Sequence, residues 1–553
     1  MNTKIKLFFL TVMVMTFTVV TCAQSPNSKA LSAEFDKLLS AQFKPGETGC
    51  AALVAINGQI IYKKAFGMAN LELNVPMQPD MVFRLGSITK QFTAVAILQL
   101  MEQGKLSLQD DITKFIPDYP TQAYKITIEN LLTHTSGIKS YTNDPGIMKF
   151  MKDDLKPEEV MDKFKNLPME FAPGTKWNYN NSGFFLLGYI IEKASGMKYQ
   201  DYIEQNLFKP AGMTNSLYGS DRKIIKNRAY PYQADGDNTI NADYMSMLLP
   251  YSAGSLMSTV EDLYMWNRAL LSDKFVKRET LEKAWTEYKL SDGKGTHYGY
   301  GWFLSQVQGS PTIEHGGGIN GYLTNGIYLP KEDVFVAVFS NSTAKGPDAV
   351  STKMAAIAIG KPYSHTETPV PADIIDQYPG VYEDESGSQR LITKEGSDLF
   401  SQRSGGAKIK MKQFAKDKFF FDDYFTILTF NRDASGNITG VDADDRGVIT
   451  TYKKTNKPIP SHAEIKLSPE VLINYTGEFE LSPGFVIAVT LEGDRIFTQA
   501  TGQSKVEIYP ESETKFFLKV VDAQLEFVKD ESGKYNKVIL HQGGKDMEGK
   551  RVK

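Results

Sequence analysis

The chain has 553 residues, too many for one hydrophobic core, so two to four domains are expected. Apolar residues make up 41% and aromatics 11%, an ordinary globular composition. A formal net charge of −3 with no long basic run argues against nucleic acid as a partner.

Residues 1–23 read as a signal peptide rather than as part of the fold. Lys4 and Lys6 form a short basic region, and Leu7 to Val20 is an apolar run too short to span a bilayer comfortably. Thr21-Cys22-Ala23 supplies small residues before Gln24, so cleavage after Ala23 and export are expected. Val19-Val20-Thr21-Cys22 is also a loose lipobox, which leaves a lipid anchor at Cys22 as the alternative, although Thr directly before the Cys is unusual. Cleavage leaves Cys50 as the single Cys, so no internal disulfide can form; export without disulfides fits a bacterial periplasm.

Residues 24–45 read as a helical lead-in carrying Leu31, Phe35, Leu38 and Leu39. Ala51 to Ile56, Asn57-Gly58 and Gln59 to Tyr62 form a β-hairpin with an Asn-Gly turn. Gly86 then permits a sharp entry into a helix that is apolar nearly all round (Phe92, Val95, Ala96, Ile97, Leu98, Leu100) and that stops at Gln103-Gly104. Residues 156–166 and Phe184 to Ala194 read as helices, as do Val260 to Leu271 and Ser351 to Ile359. Tyr300 to Leu304, Thr312 to His315, Tyr322 to Leu329 and Val334 to Ser340 read as strands. This order suggests an α+β plan, an antiparallel sheet with helices packed on it, over residues 24–362.

Residues 361–372 contain Pro362, Pro369 and Pro371 and read as a linker. Beyond it lies an internal repeat. Tyr378, Gly380, Glu395, Gly396, Phe400, Lys418, Phe419, Phe420, Phe430, Asp433, Ser435 and Gly436 each recur 97 positions later, from Tyr475 to Gly533. Two copies of one module are expected over residues 373–455 and 470–553, each suited to a small antiparallel, lipocalin-like barrel or half-barrel, with a Pro-bearing link between them.

The chemistry-bearing residues form a set. Ser87 and Lys90 are three apart, one turn apart on one helix face. A Ser hydroxyl needs an adjacent base, and a Lys held in an apolar wall loses its proton more easily. The spacing alone is common: Ser195/Lys198, Ser220/Lys223, Ser291/Lys294 and Ser342/Lys345 share it, but only Ser87 opens a long apolar helix. Tyr179-Asn180-Asn181 sits on a loop before another apolar helix; a phenol beside a Lys⁺ has a lowered pKa and relays protons, and an Asn carboxamide binds an amide. Tyr141-Thr142-Asn143 has the same spacing without the Pro-Gly entry. His315-Gly316-Gly317-Gly318 ends a strand whose glycines let a substrate backbone approach, and the N–H groups of Ser87 and Gly318 suit an oxyanion hole. His297-Tyr298-Gly299 and His541-Gln542-Gly543 are competing versions of this third motif. His134, between Thr133 and Thr135, reads as a structural loop residue, and Ser136 receives no role. No His/Cys cluster has metal-ligand spacing, so neither a metal nor another cofactor is expected.

Ser87-x-x-Lys90, Tyr179-x-Asn181 and His315-x-Gly317, in that order, resemble the serine β-lactamase-related family of class C β-lactamases, DD-carboxypeptidases, related esterases and D-aminopeptidases. Phe83 to Gly86, Leu132 to Gly137 and Ala253 to Thr259 are also similar to family stretches, and the likeness covers about residues 45–360. The resemblance implies an α/β sandwich with an all-helical subdomain. It also implies an acyl-enzyme on Ser87, with Lys90 and Tyr179 as proton carriers and Asn181, His315 and Gly317 contacting substrate. Two barrel modules after such a domain are similar to the D-aminopeptidase branch. One departure stands out. The β-lactamases carry Lys where this chain has His315, which is mostly neutral at pH 7 by its reference pKa. The expectation is an exported serine hydrolase acting on short, cell-wall-type peptides. A carboxylesterase or β-lactamase is the alternative of the same fold, and a non-turning acylatable receptor the alternative of another class.

Overall fold

The computed structural model describes residues 26–236, 238–460, 462 and 464–553. The leader expected over residues 1–23, with Cys22, lies outside them. Among the described residues no helix is long and apolar enough to cross a membrane.

Six strands build the central sheet: β1 (Cys50–Ile56), β2 (Gln59–Phe66), β3 (Phe303–Val307), β4 (Ser310–Ile319), β5 (Tyr322–Leu329) and β6 (Val334–Ser340). Their spatial order is β3-β4-β5-β6-β1-β2, antiparallel throughout. The β1–β2 turn is Asn57-Gly58, both at positive φ, as a two-residue hairpin requires. β1 is buried on both faces, and its alternation splits the core in two. Cys50, Ala52 and Val54 pack with Val336 and Val338 against helices α1 (Pro26–Gln42) and α4 (Asp348–Ala358), through Phe35, Leu39, Val350 and Met354. Leu53 and Ala55 join Phe335, Ala337 and Phe339 on the other face, against α2 (Thr89–Glu102) and α3 (Asn181–Ser195). Shorter helices Ile128–Leu132, Pro157–Phe164 and Tyr199–Ile203 surround α3.

Two strands depart from the sequence reading. β3 starts at Phe303 because residues 298–302 turn back on themselves, with Gly299 N–H donating to Trp302 O and Gly301 at φ +86. β4 runs on through its three glycines because pairing with β5 uses only the main chain: Gly316, Gly317 and Gly318 face Asn325, Thr324 and Leu323.

Beyond the linker stand two closed, eight-stranded antiparallel barrels, from Gly380–Glu383 to Val448–Lys454 and from Gly477–Ser482 to Lys545–Arg551. The repeat in the sequence is a repeat of core positions. Tyr378, Tyr382, Ile392, Leu399, Met411, Phe419, Leu428, Phe430 and Val441 fill the first barrel; Tyr475, Phe479, Val489, Ile496, Ile508, Phe516, Leu525, Phe527 and Val538 fill the second at the same offset. The first barrel touches the sheet edge directly. Its tight turn at Arg446 exchanges main-chain and side-chain bonds with Gln306 of β3.

Candidate active site

Ser87 lies on the 3₁₀ turn Gly86–Ile88 that leads into α2. Gly86 has φ +54, and a Cβ there would come 2.9 Å from Gly318 N, so glycine is required where β4 crosses the turn. Lys90, one turn on, is fully buried. Its Nζ lies 3.0 Å from Ser87 Oγ, 2.8 Å from Asn181 Oδ1 and 2.9 Å from Ala253 O. Burial holds its pKa well below the ordinary lysine value. A neutral amine has two N–H groups and one lone pair. The two carbonyl oxygens accept the two N–H groups, which leaves the lone pair for the Ser87 hydroxyl. An amine held this way is placed to take the hydroxyl proton.

The phenol of Tyr179 hydrogen-bonds to Ser87, and the Tyr179 ring centroid is 4.8 Å from Lys90 Nζ. Its pKa is raised, by burial first, with the Ser87 bond opposing. The sequence expectation was the reverse, a phenol acidified by a neighbouring cation. Burial, which disfavours both the Lys90 cation and the phenolate, outweighs that pull, so Tyr179 stays a protonated donor at neutral pH. His134 brackets the tyrosine. Asn178 N–H donates to His134 O and Asn180 N–H donates to His134 Nδ1, each at 3.0 Å. His134 is buried with φ +59, and its ring centroid is 4.4 Å from that of Tyr179.

Asn180, not Asn181, caps α3, accepting from Gly183 N–H at 2.7 Å. Asn181 is thereby turned inward: its Oδ1 accepts from Lys90 and its Nδ2 donates to Thr142 Oγ1 at 3.0 Å.

On β4, Gly317 faces the nucleophile turn so closely that a Cβ would lie 1.9 Å from Leu85 O. Thr324 Oγ1 donates to the same carbonyl at 2.8 Å. His315 is only 2% exposed, and burial, then Lys90, push its pKa down to about 3. Gly316 O can only accept, so His315 Nδ1 donates to it at 2.6 Å, and Nε2 accepts from Tyr298 OH at 3.1 Å. Both ring nitrogens are spent. The expectation that this imidazole faces the substrate is corrected: it packs behind Tyr179 with Tyr298 and Phe303. The competing motif, His297-Tyr298-Gly299, supplies that partner tyrosine.

A pocket of about 170 Å³ opens over Ser87. Asn181, Tyr141, Thr142 and Gly318 line it, with Met245, Leu249, Pro250 and Ile319 as apolar walls and, among the described residues, no charged side chain. Gly317 and His315 stand behind the wall rather than in it. Three contributors were assigned no role from the sequence: Ala253 O, from a stretch noted only for its family likeness, Thr142, from the rejected Tyr141-Thr142-Asn143 motif, and Ser140 Oγ, which accepts from Asn181 N–H. Each acts through a backbone group or an ordinary hydroxyl brought in from far along the chain. Among the described residues no three His, Cys, Asp or Glu side chains are grouped as metal ligands.

The β-lactamase family model matches residues 35–361, and the domain of unknown function DUF3471 matches residues 461–551. Penicillin-binding protein 4* of Bacillus subtilis (strain 168) is 30% identical over 398 residues, covering 66% of this chain and 86% of that protein. The solved octameric penicillin-binding protein homologue from Pyrococcus abyssi is 26% identical with a TM-score of 0.55, covering 77% of this chain and 99% of the other. The D-stereospecific amidohydrolase from Streptomyces sp. is 26% identical with a TM-score of 0.52, covering 58% of this chain and 97% of the other.

Proposed function

The chain belongs to the β-lactamase family of serine hydrolases, and on that premise we propose that it is an exported peptidase forming an acyl-enzyme on Ser87. Lys90 takes the Ser87 proton as the oxygen attacks the substrate carbonyl. The N–H groups of Ser87 and Gly318 hold the developing oxyanion, at a helix N-terminus that favours negative charge. Tyr179, protonated, gives a proton to the leaving amine and recovers one from the Ser87–Lys90 pair. Water then attacks the acyl group by the reverse path. Asn181 fixes Lys90 and offers its remaining N–H to the substrate.

The observation that carries this reading is the buried Lys90 amine with both N–H groups taken and Ser87 Oγ at 3.0 Å. The pocket's lack of a charged side chain argues against efficient recognition of a carboxylate, and so against a β-lactamase. It suits neutral or apolar acyl groups. The likeness to a D-stereospecific amidohydrolase supports amides of D-residues as first substrates to try. The same neutral wall admits simple esters, so a carboxylesterase is the second reading. Export rests on the leader-like residues 1–23 and is tested by fractionating cells that express the full chain.

Ser87→Ala abolishes labelling by a fluorophosphonate probe and hydrolysis of D-aminoacyl amides, L-aminoacyl amides and p-nitrophenyl esters. Undiminished labelling of that variant removes Ser87 from the mechanism. Burst-limited release of a single equivalent by the wild type replaces the hydrolase with an acylated receptor.

A further inference from the structure

β4 loses its edge partner just where the site begins. Phe303, the first residue of β3, pairs with Glu314, and from His315 to Ile319 that edge of β4 is unpaired by the sheet. An open strand edge of this kind is free to pair with an extended substrate. Its position then depends on what holds Glu314. The holder comes from the first barrel. Arg446 Nη1 and Nη2 meet Glu314 Oε1 and Oε2 at 3.0 and 2.6 Å, a two-pronged ion pair with both side chains largely buried. Arg446 Nε also donates to Gln306 O at 3.0 Å, while Gln306 N–H and Ser305 Oγ donate to Arg446 O. One residue of the barrel thus ties the paired end of β4 to β3. The next residue along β4 is His315, whose ring backs Tyr179, followed by the glycines that cross the Ser87 turn.

We propose that Arg446 is a positioning residue of the hydrolase site, and that the first barrel serves the reaction by fixing the unpaired half of β4 through Glu314. The proposal rests on the Ser87 reading above, and it goes beyond it by making a separate module part of the site's geometry. A planar five-donor guanidinium fits this task because it meets a carboxylate with two parallel bonds while a third donor reaches a carbonyl. Other ionisable groups face the pair. Asp445 and Tyr363 add to the hold of Glu314 on the guanidinium charge, while Asp348, whose carboxyl burial pushes up, is repelled by Glu314 and drawn to Arg446. A cleft of about 370 Å³ lies beside the ion pair, bordered by Phe303, Glu314, Tyr424 and Arg446.

The test uses the full chain and counts active sites by fluorophosphonate titration before rates are measured. Arg446→Ala is expected to lower kcat/KM per titrated site by about tenfold or more for peptide amides long enough to pair with β4, since a displacement of about 1 Å is enough for losses of that order. A single-residue ester, which needs no strand pairing, is expected to lose less. Arg446→Lys is expected to restore activity only in part, and the exchange Arg446→Glu with Glu314→Arg to recover more than either change alone. A merely structural arginine would reduce the number of titratable sites and leave the rate per site and the long-to-short substrate ratio unchanged; that result overturns the proposal. An absence of titratable Ser87 in the wild type instead overturns the Ser87 reading.

Discussion

At the scale of single residues the site is governed by dryness. Lys90 sits without solvent among Tyr179, Phe184 and two carbonyl oxygens, so its ammonium form is disfavoured. The sign for stability follows. Below the native pKa of Lys90 both folded and unfolded chains hold its proton. Between that lowered value and the ordinary value of about 10.4, only the unfolded chain does, so stability rises with pH across this window. Lys90→Met keeps the buried stem, removes this rise and abolishes turnover; urea midpoints of both proteins from neutral to alkaline pH check the first part. His315, neutral above about pH 3, contributes no step to a rate profile near pH 6. His315→Gln is therefore expected to lower kcat by loosening Tyr179 while the shape of the pH profile stays the same. Ser87, Lys90 and Tyr179 were legible in the sequence because each sits where an apolar helix begins. The direction of the His315 ring was not, because it depends on Tyr298, a residue in an unrelated turn.

At the scale of elements, close backbone approach sets the geometry. β4 crosses the Ser87 turn with room for nothing larger than hydrogen at Gly317, whose added Cβ would meet Leu85 O at 1.9 Å and Thr324 Oγ1 at 2.4 Å. Gly317→Ala is expected to push β4 off the turn, cost about 1–3 kcal/mol in stability and lower kcat/KM about a hundredfold. Thermal melts and steady-state rates measure the two effects separately. The hairpin was readable from its Asn-Gly turn, and the apolar helices and the strands Tyr322–Leu329 and Val334–Ser340 from largely apolar runs, because they are buried on nearly every side. The full length of β4 was not, because three glycines carry no side-chain pattern, and its pairing with β5 is made by the backbone alone. The cap of α3 shows the same limit. Adjacent asparagines look alike in sequence, yet Asn180 closes the helix and Asn181 enters the pocket.

At the scale of the whole molecule, one catalytic unit carries two barrels with different attachments. The first plugs Arg446 into the sheet edge. The second leans on the first, through Gly405 N–H donating to Asp522 Oδ2 and Gln542 Nε2 donating to Gly405 O. Each barrel has its own aromatic core, so each is expected to unfold as its own cooperative unit. Phe516→Ala is expected to destabilise the second barrel by about 3–5 kcal/mol and to leave the rate per active site unchanged, read by calorimetry and hydrolysis together. The duplication was visible in the sequence because core positions repeat in register; the unequal docking was not, because Arg446 faces Gly543 across the repeat and nothing local marks which copy meets the sheet.

The most direct test is the rate constant for acylation of Ser87, followed against pH in the wild type and in Lys90→Met. The wild-type rate is expected to fall as pH is lowered through a single protonation, that of the Lys90 amine, and Lys90→Met to acylate at least a thousandfold more slowly, on the order of removing a general base. A Lys90→Met protein that acylates as fast as the wild type, with the same dependence on pH, would contradict the claim that the buried amine takes the Ser87 proton.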